Sequence, residues 1–160
     1  MTRIPDLGRR GEGWVLVQLA LLAAIGLAGF AALPAGSSGP QRTAELVLGG
    51  LAMAAGGLVA VASVLALGAS LSPFPRPTVA NQLVETGAYR HVRHPIYSGI
   101  VLAGIGWGLL TASFQATLLS FILLLWFDLK ARREEAWLAA RHPSYAAYRA
   151  RTRRFVPFLY

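Results

Sequence analysis

The 160-residue chain contains no cysteine and little charge. The absence of cysteine excludes a disulfide framework, a thiolate metal site and a cysteine nucleophile, and it leaves the redox compartment undetermined. Only 14% of the residues are charged, whereas a soluble domain usually has about 25%. With 55% hydrophobic residues and a mean hydropathy of +0.51, the composition predicts an integral membrane protein.

Four apolar segments predict membrane-spanning helices: residues 14–33, 44–71, 96–111 and 114–127. The first is about one bilayer thickness of helix. The last two are near the lower limit for spanning and, with a short uncharged turn between them, form a predicted hairpin. The polar stretch 130–154 predicts C-terminal helices, one of them opened by Pro143.

The predicted fold class is therefore all-α, a polytopic membrane protein with about four transmembrane helices and a cytoplasmic C-terminal helical segment. We expect a single domain over residues 1–160. Residues 1–71 form two N-terminal spans in this prediction. Residues 72–160 hold a cofactor-binding loop, the transmembrane hairpin and the C-terminal helices.

Acidic residues are also scarce, because seven Asp and Glu stand against fifteen Lys and Arg. Four spans place every basic residue except Arg42 on the side of the termini, so the positive-inside rule predicts cytoplasmic termini and an inner or plasma membrane location. The net charge of +8 then reflects topology and contact with membrane lipid, and we predict no nucleic-acid partner. A signal peptide over residues 1–35 is the alternative, but its apolar run is long.

Small residues recur at every fourth position in the apolar segments. They form one stripe in each of three predicted helices: Ala20, Ala24, Ala28 and Ala32; Ala52, Gly56 and Ala60; Gly104 and Gly108. Such stripes let helix backbones approach closely in a bilayer. Gly104-x-Gly106-x-Gly108 is not a dinucleotide loop, because it lies inside an apolar helix and follows no strand.

Proline and glycine predict loops at residues 33–43 and 70–95. Pro73, Pro75 and Pro77 end the second helix, since each lacks a backbone donor and fixes φ. The second loop leads directly into a charged motif, which is a common place for binding groups.

Two charged clusters lie at the ends of the predicted hairpin. Arg93-His94-Pro95-Ile96-Tyr97 opens the third helix, and Glu134-Glu135 follow the fourth. Taken singly, the first cluster is typical of a snorkelling helix cap, and the glutamates could pair with neighbouring basic residues.

Taken together, the clusters suit one kind of ligand. Glu134 can bind an ammonium group, while Arg93 or His94 can bind a carboxylate. The rings of Tyr89, Tyr97 and Tyr148 can contact a flat base or a cation. S-adenosylmethionine, an amino acid joined to a nucleoside through a sulfonium, requires such a set.

Two other chemistries are less compatible with these residues. A metal at His91-x-x-His94 needs further ligands, and the surrounding basic side chains oppose a cation, so we predict no metal site. Ser98 lies near His94 but lacks the Gly-x-Ser-x-Gly elbow of a hydrolase. It is interpreted as a small residue that faces a neighbouring helix.

A series of motifs resembles the isoprenylcysteine carboxyl methyltransferase family. The series is Gly87-Ala88-Tyr89-x3-Arg93-His94-Pro95-Ile96-Tyr97-Ser98-Gly99, then Glu134-Glu135-x2-Leu138, then Tyr145-x2-Tyr148. It covers roughly residues 65–158, and phospholipid N-methyltransferases belong to the same membrane superfamily. The resemblance implies an enzyme that binds S-adenosylmethionine on the cytoplasmic side under its C-terminal segment. It also implies a lipid-like or prenylated small-molecule substrate that enters between helices.

The resemblance and the motifs assign the site residues. Cofactor contacts are predicted at Leu83, Val84, Tyr89, His94, Pro95, Tyr97, Glu134, Glu135 and Tyr148. Members of the family place an Arg shortly before the acidic pair, near the substrate carboxylate. Here that neighbourhood is Lys130-Ala131-Arg132-Arg133, so Arg132 and Arg133 join Arg93 as candidate catalytic residues. The family's His-Glu-Leu ahead of the glycine turn is replaced by Asn81-Gln82-Leu83.

The sequence thus predicts methyl transfer to a hydrophobic acceptor and favours carboxyl O-methylation. A carboxylate is already a nucleophile near neutral pH, whereas a neutral amine needs a base. A phospholipid N-methyltransferase, an NADPH-dependent sterol reductase and a non-catalytic scaffold remain alternatives. Reductases carry Asn and Glu where this chain has Ile96 and Ile100. The oligomeric state is not predicted.

Overall fold

The computed structural model describes residues 5–33, 39–74, 83–157 and 159. The predictions that concern residues 34–38 and 75–82, including Pro75, Pro77 and Asn81-Gln82, lie outside these ranges. The described residues form five α-helices, α1 Glu12–Ala32, α2 Pro40–Leu67, α3 Pro95–Leu110, α4 Phe114–Arg141 and α5 Tyr145–Arg151, with short 3₁₀ turns at Gly68–Ser70 and Gly87–Arg90.

Three helical stretches are long and apolar enough to cross a membrane. They are α1, α4 and Pro40–Ser70, which is α2 with its following turn; α3 is apolar but shorter. Large aliphatic side chains stand exposed along α1 and α2, with Leu27 at 70% and Leu65 at 75% exposure, as expected for surfaces that contact lipid. The predicted all-α membrane fold is confirmed, while the fourth span stays a prediction.

Helix boundaries depart from the prediction most at α4. We expected an apolar helix that ends at residue 127, but α4 continues without a break to Arg141. Residues 128–141 contain no Gly or Pro and are rich in strong helix formers, so nothing in them ends the helix. Pro143 precedes α5 by two residues instead of opening it.

Close contact between backbones joins α2 to α3. A Cβ added to Gly56 would lie 2.5 Å from both Ala103 N and Gly99 O, so the small-residue stripe predicted in α2 has the expected packing role. The stripe predicted in α1 is only partly correct. Ala20 is exposed, and the buried residues of α1 are Trp14, Ile25 and Gly29.

The end of the chain returns to the loop that precedes α3. Arg93 N donates to Arg153 O at 2.7 Å, and His94 N donates to Arg154 O at 3.0 Å. The Ser98 hydroxyl donates to Phe155 O at 2.7 Å, so it fastens the C-terminal segment to α3. These bonds fix the position of the Arg93-His94 motif relative to the polar end of α4.

Candidate functional site

A cavity opens where the polar end of α4 meets the start of α3. All five α-helices contribute to its wall. The basic and acidic residue types around it are Arg93, His94, Lys130 and Glu134, and the aliphatic side chains include Val64, Leu67, Ile96 and Ile100 from α2 and α3. The cavity is therefore amphiphilic, with its aliphatic part in helices that face the bilayer.

The two adjacent glutamates have different environments, because neighbouring residues of a helix point about 100° apart. Glu134 lines the cavity, has 24% of its side chain exposed and accepts a hydrogen bond from the Tyr97 hydroxyl at 3.0 Å. Glu135 is only 4% exposed. Its carboxylate accepts from Arg93 Nε at 2.9 Å and from Arg154 Nε at 3.1 Å.

His94 connects the two carboxylates and an aromatic stack. Its Nε2 lies 3.2 Å from Glu135 Oε1, and its Nδ1 lies 3.8 Å from Glu134 Oε2. The imidazole is parallel to the Tyr97 ring, which in turn stacks on Phe127 at 4.3 Å between centroids. This stack holds the Tyr97 hydroxyl against Glu134.

The guanidinium of Arg93 is bonded mainly to other groups of the protein. Besides its ion pair with Glu135, its guanidinium donates to Thr152 O at 2.6 Å. Arg93 also lines the cavity, so its positive charge acts there while its donors hold the C-terminal segment in place.

Three tyrosines close the side of the cavity near α5. Burial, and secondarily the Glu134 carboxylate, raises the pKa of Tyr89. Burial also raises the pKa of Tyr145 and of Tyr148, so all three hydroxyls keep their protons at neutral pH. The Tyr148 hydroxyl donates to Tyr89 O at 2.8 Å. The Tyr145 hydroxyl has no hydrogen-bond partner among the described residues.

Lys130 is the site residue that sequence reasoning underrated. It is 1% exposed, and its ammonium group donates to Gln18 Oε1 at 2.6 Å and to Pro73 O at 3.1 Å. It also lies 5.2 Å from the centroid of the Tyr97 ring. The available signal was its spacing, since positions 130 and 134 share a helix face.

The structure brings most of the predicted site residues together. The cavity is lined by Leu83, Val84, Tyr89, Arg93, His94, Tyr97, Glu134 and Tyr148. Pro95 instead lines a separate apolar cavity against the C-terminal segment, and Glu135 lies behind the wall. Arg132 is half exposed and paired with Asp128.

Arg133 also lies outside the cavity lining. It pairs with Asp6 and stacks over the ring of Trp137. The histidines of the His91-x-x-His94 spacing line different cavities. Across residues 5–33, 39–74, 83–157 and 159, no group of three or more His, Asp or Glu could hold a metal ion.

Comparisons with known proteins find two relatives that each match about half of this chain. The chain is 36% identical over 80 residues to the cobalt-zinc-cadmium resistance protein CzcN of Cupriavidus metallidurans, which covers 49% of this chain and 37% of that protein. It is 38% identical over 80 residues to the protein-S-isoprenylcysteine O-methyltransferase of Schizosaccharomyces pombe, which covers 48% of this chain and 34% of that protein. The matched segment thus spans little more than a third of either relative.

A family match extends further along the chain than these pairwise similarities. The model of the phospholipid methyltransferase family matches residues 44–144. This range includes most of α2, which the motif resemblance had left out, together with α3 and all of α4. Because the match covers more than half of the chain, the protein belongs to the phospholipid methyltransferase family.

Proposed function

We propose that this chain is an integral membrane methyltransferase that uses S-adenosylmethionine. Its proposed acceptor is the carboxylate of a hydrophobic molecule such as a prenylated thioether. The observation that carries the proposal is Glu134, a carboxylate oriented by Tyr97 and open to an amphiphilic cavity. Family membership and the name of the fission yeast relative support it.

The residues around the cavity fit the cofactor. Glu134 can bind the ammonium group of S-adenosylmethionine, and the rings of Tyr89 and Tyr148 can contact its base or its sulfonium. The buried Tyr145 hydroxyl lacks a partner among the described residues, and a polar ligand would supply one. When bound, the cofactor supplies a methyl group on positively charged sulfur, which a nucleophile can displace.

The residues of the chain would bind the cofactor and the acceptor, align them with each other and exclude water. The stack of Phe127, Tyr97 and His94 fixes the Glu134 carboxylate before any ligand arrives, and such preorganisation reduces the entropy lost on binding. The aliphatic side chains of α2 and α3 exclude water and accept a hydrocarbon chain. No covalent intermediate with the protein is needed.

We assign the acceptor carboxylate to Lys130 rather than to Arg132 or Arg133. Within the described ranges, no carboxylate forms an ion pair with Lys130, although its ammonium group is buried. A buried cation with neutral partners pays a large desolvation cost, which an anionic acceptor would offset. Arg132 and Arg133 point to acidic partners outside the cavity lining.

The same cation disfavours an amine acceptor. A phospholipid amine would meet the Lys130 charge and would need a base to remove its proton. Of the two candidate bases on the cavity wall, His94 is paired with Glu135, and Glu134 is assigned to the ammonium group of the cofactor. A carboxylate acceptor needs neither deprotonation nor a neutral surrounding.

Binding and transfer assays on the full chain in lipid nanodiscs test the proposal. We expect thermal stabilisation by S-adenosylmethionine but not by NADPH. We also expect transfer of a labelled methyl group to an S-farnesyl cysteine derivative as a base-labile ester. Glu134→Gln should abolish transfer, and Arg132→Gln serves as the surface control.

Three outcomes would contradict the proposal. NADPH alone could stabilise the protein, which would favour a reductase. The label could enter vesicles of phosphatidylethanolamine instead, which would favour N-methylation. Wild-type protein that binds neither cofactor would favour a scaffold.

A further inference from the structure

The side-chain amide of Gln18 contacts the buried ammonium group of Lys130 on the wall of the cavity that contains Glu134. We propose that Gln18 is a positioning residue that holds this ammonium group inside the cavity without neutralising it. The neutrality of position 18 would then make the acceptor site select an anion. This inference rests on the proposed function, in which Lys130 binds the acceptor carboxylate.

Gln18 is an isolated polar residue in an apolar helix. Apart from Glu12 in the first turn and the indole of Trp14, it is the only polar side chain of α1, which is long and apolar enough to cross a membrane. A polar group within such a helix is costly in lipid and usually serves a cavity or a binding site. Gln18 lines the cavity together with Lys130, so its position fits such a role.

The direction of the Lys130 side chain follows from the packing of α1 against α4. Ala28 O accepts a hydrogen bond from the Ser113 hydroxyl, and Trp14 O accepts one from the Trp126 indole. The residue number therefore falls along α1 as it rises along α4, which means that the two helices are antiparallel. The rings of Trp14 and Trp126 also stack at 4.6 Å between centroids, so these two residues lie at the same level of the bundle.

Gln18 and Lys130 lie on opposite sides of that level. Each is one turn further along its own helix than the tryptophan, and the helices run in opposite directions, so the two backbones are separated by about 11 Å along the bundle. Lys130 Nζ nevertheless donates to Gln18 Oε1 at 2.6 Å. The lysine therefore extends toward the apolar half of α4, whereas a lysine near a membrane helix end usually extends toward water.

The hydrogen bonds of Lys130 leave its charge and one donor available. An ammonium group has three N–H donors and no acceptor, and two of these donors are used by neutral oxygens, Gln18 Oε1 and Pro73 O. Among the residues that the structure describes, no carboxylate forms an ion pair with it. Glu134, one turn further along α4, is assigned to the cofactor. An anionic acceptor is thus the partner that would offset the buried charge.

The amide of Gln18 combines two properties that simple substitutions separate. Its oxygen holds the ammonium group, and Gln18→Met would release that group toward water. Its neutrality leaves the charge available to the acceptor, whereas Gln18→Glu would form an ion pair with Lys130 and repel a second carboxylate.

Kinetics of three variants in lipid nanodiscs test the inference. Gln18→Glu should raise the KM for N-acetyl-S-farnesyl cysteine, a monoanion, by about tenfold or more, the effect of losing a hydrogen bond to a charged group. Gln18→Met should also raise this KM, because the ammonium group is no longer held in the cavity. The kcat and the affinity for S-adenosylmethionine should stay those of the wild type. Gln115→Glu makes the same chemical change at an exposed position near the start of α4 and should leave the KM unaltered.

A cationic competitor separates charge selection from a general loss of packing. S-farnesyl cysteamine has the same hydrocarbon chain with an ammonium group and no carboxylate. We expect Gln18→Glu to shift the ratio of the two affinities toward this cation by about tenfold or more relative to the wild type. Gln18→Met keeps the charge of Lys130 and should gain no affinity for the cation.

The outcomes separate this inference from the proposed function. Wild-type protein that neither binds S-adenosylmethionine nor transfers its methyl group would overturn the proposed function itself. If the wild type is active and the Gln18 variants keep its KM, the role of Gln18 is wrong and the proposed function stands. If both variants lose cofactor affinity or unfold at lower temperature without ligand, Gln18 has a structural role instead. An equal rise in KM for Gln115→Glu would also overturn the inference, because the effect would then be long-range electrostatics.

Discussion

At the scale of single residues, adjacent carboxylates on α4 have separate tasks. Glu135 is surrounded by Arg93, Arg154 and His94 and joins the loop before α3 to α4. Glu134 faces the cavity with one hydrogen bond, from Tyr97. The sequence predicted both as cofactor contacts, because a motif does not say which of two neighbours points inward.

Replacing each glutamate by glutamine should separate stability from binding. Glu135→Gln leaves the buried Arg93 guanidinium without its counter-charge and removes one of the two carboxylates of Arg154, which keeps Asp128, so we expect the free energy of unfolding to fall by about 3 kcal/mol. Glu134→Gln should leave the thermal midpoint close to that of the wild type and abolish S-adenosylmethionine binding. Differential scanning fluorimetry and isothermal titration calorimetry measure the two effects. Loss of binding by Glu135→Gln alone, at unchanged stability, would reverse the assignment.

Lys130 offers a second test at this scale. Lys130→Met keeps the length of the side chain and removes its charge. We expect the KM for an S-farnesyl cysteine carboxylate to rise about tenfold or more, the effect of losing a hydrogen bond to a charged group, while the affinity for S-adenosylmethionine is unchanged. Arg132→Met removes a charge two residues away, on the protein surface, and should leave the KM unaltered. An equal rise for both variants would show that the effect is long-range electrostatics.

At the scale of elements, the sequence predicted helices better than their ends. The apolar runs located α1 to α4, but the polar residues after Phe127 concealed the continuation of α4. Hydropathy marks where a helix leaves lipid, whereas helix propensity and breakers decide where it ends. The burial of Lys130 could not be predicted either, because it depends on contacts with Gln18 and Pro73 from distant segments.

Adjacent glycines of α2 test the close contact with α3. A Cβ on Gly56 would collide with the backbone of α3, whereas a Cβ on Gly57 has nothing within 4 Å. Gly56→Ala should therefore cost about 1–3 kcal/mol of stability, as overpacking usually does, and lower the thermal midpoint in detergent. Gly57→Ala should be neutral or slightly stabilising, because Ala is the better helix former. A similar loss for both variants would show that helix flexibility matters rather than packing.

At the scale of the whole molecule, the ends of the bundle differ in charge. Arg42 caps the C-terminus of α3 by donating to Leu110 O at 2.7 Å, at the end opposite to the cavity. The remaining basic residues of the described ranges lie in the segment before α1, the loop before α3, the polar half of α4 and the C-terminal segment. Charge counting predicts which end faces the cytoplasm, but the positions of the lining side chains required the folded chain.

The lack of cysteine makes the predicted orientation directly testable, because single cysteines can be introduced into an unreactive background. Thr43→Cys lies beside Arg42 at the start of α2, and Ala147→Cys lies in α5; both positions are exposed. A cytoplasmic site requires that a membrane-impermeant maleimide label Thr43→Cys in intact cells and label Ala147→Cys only after permeabilisation. The reverse pattern would place the cavity outside the cytoplasm. Labelling of both in intact cells would mean that the segments between them do not cross the membrane an odd number of times, which contradicts four spans.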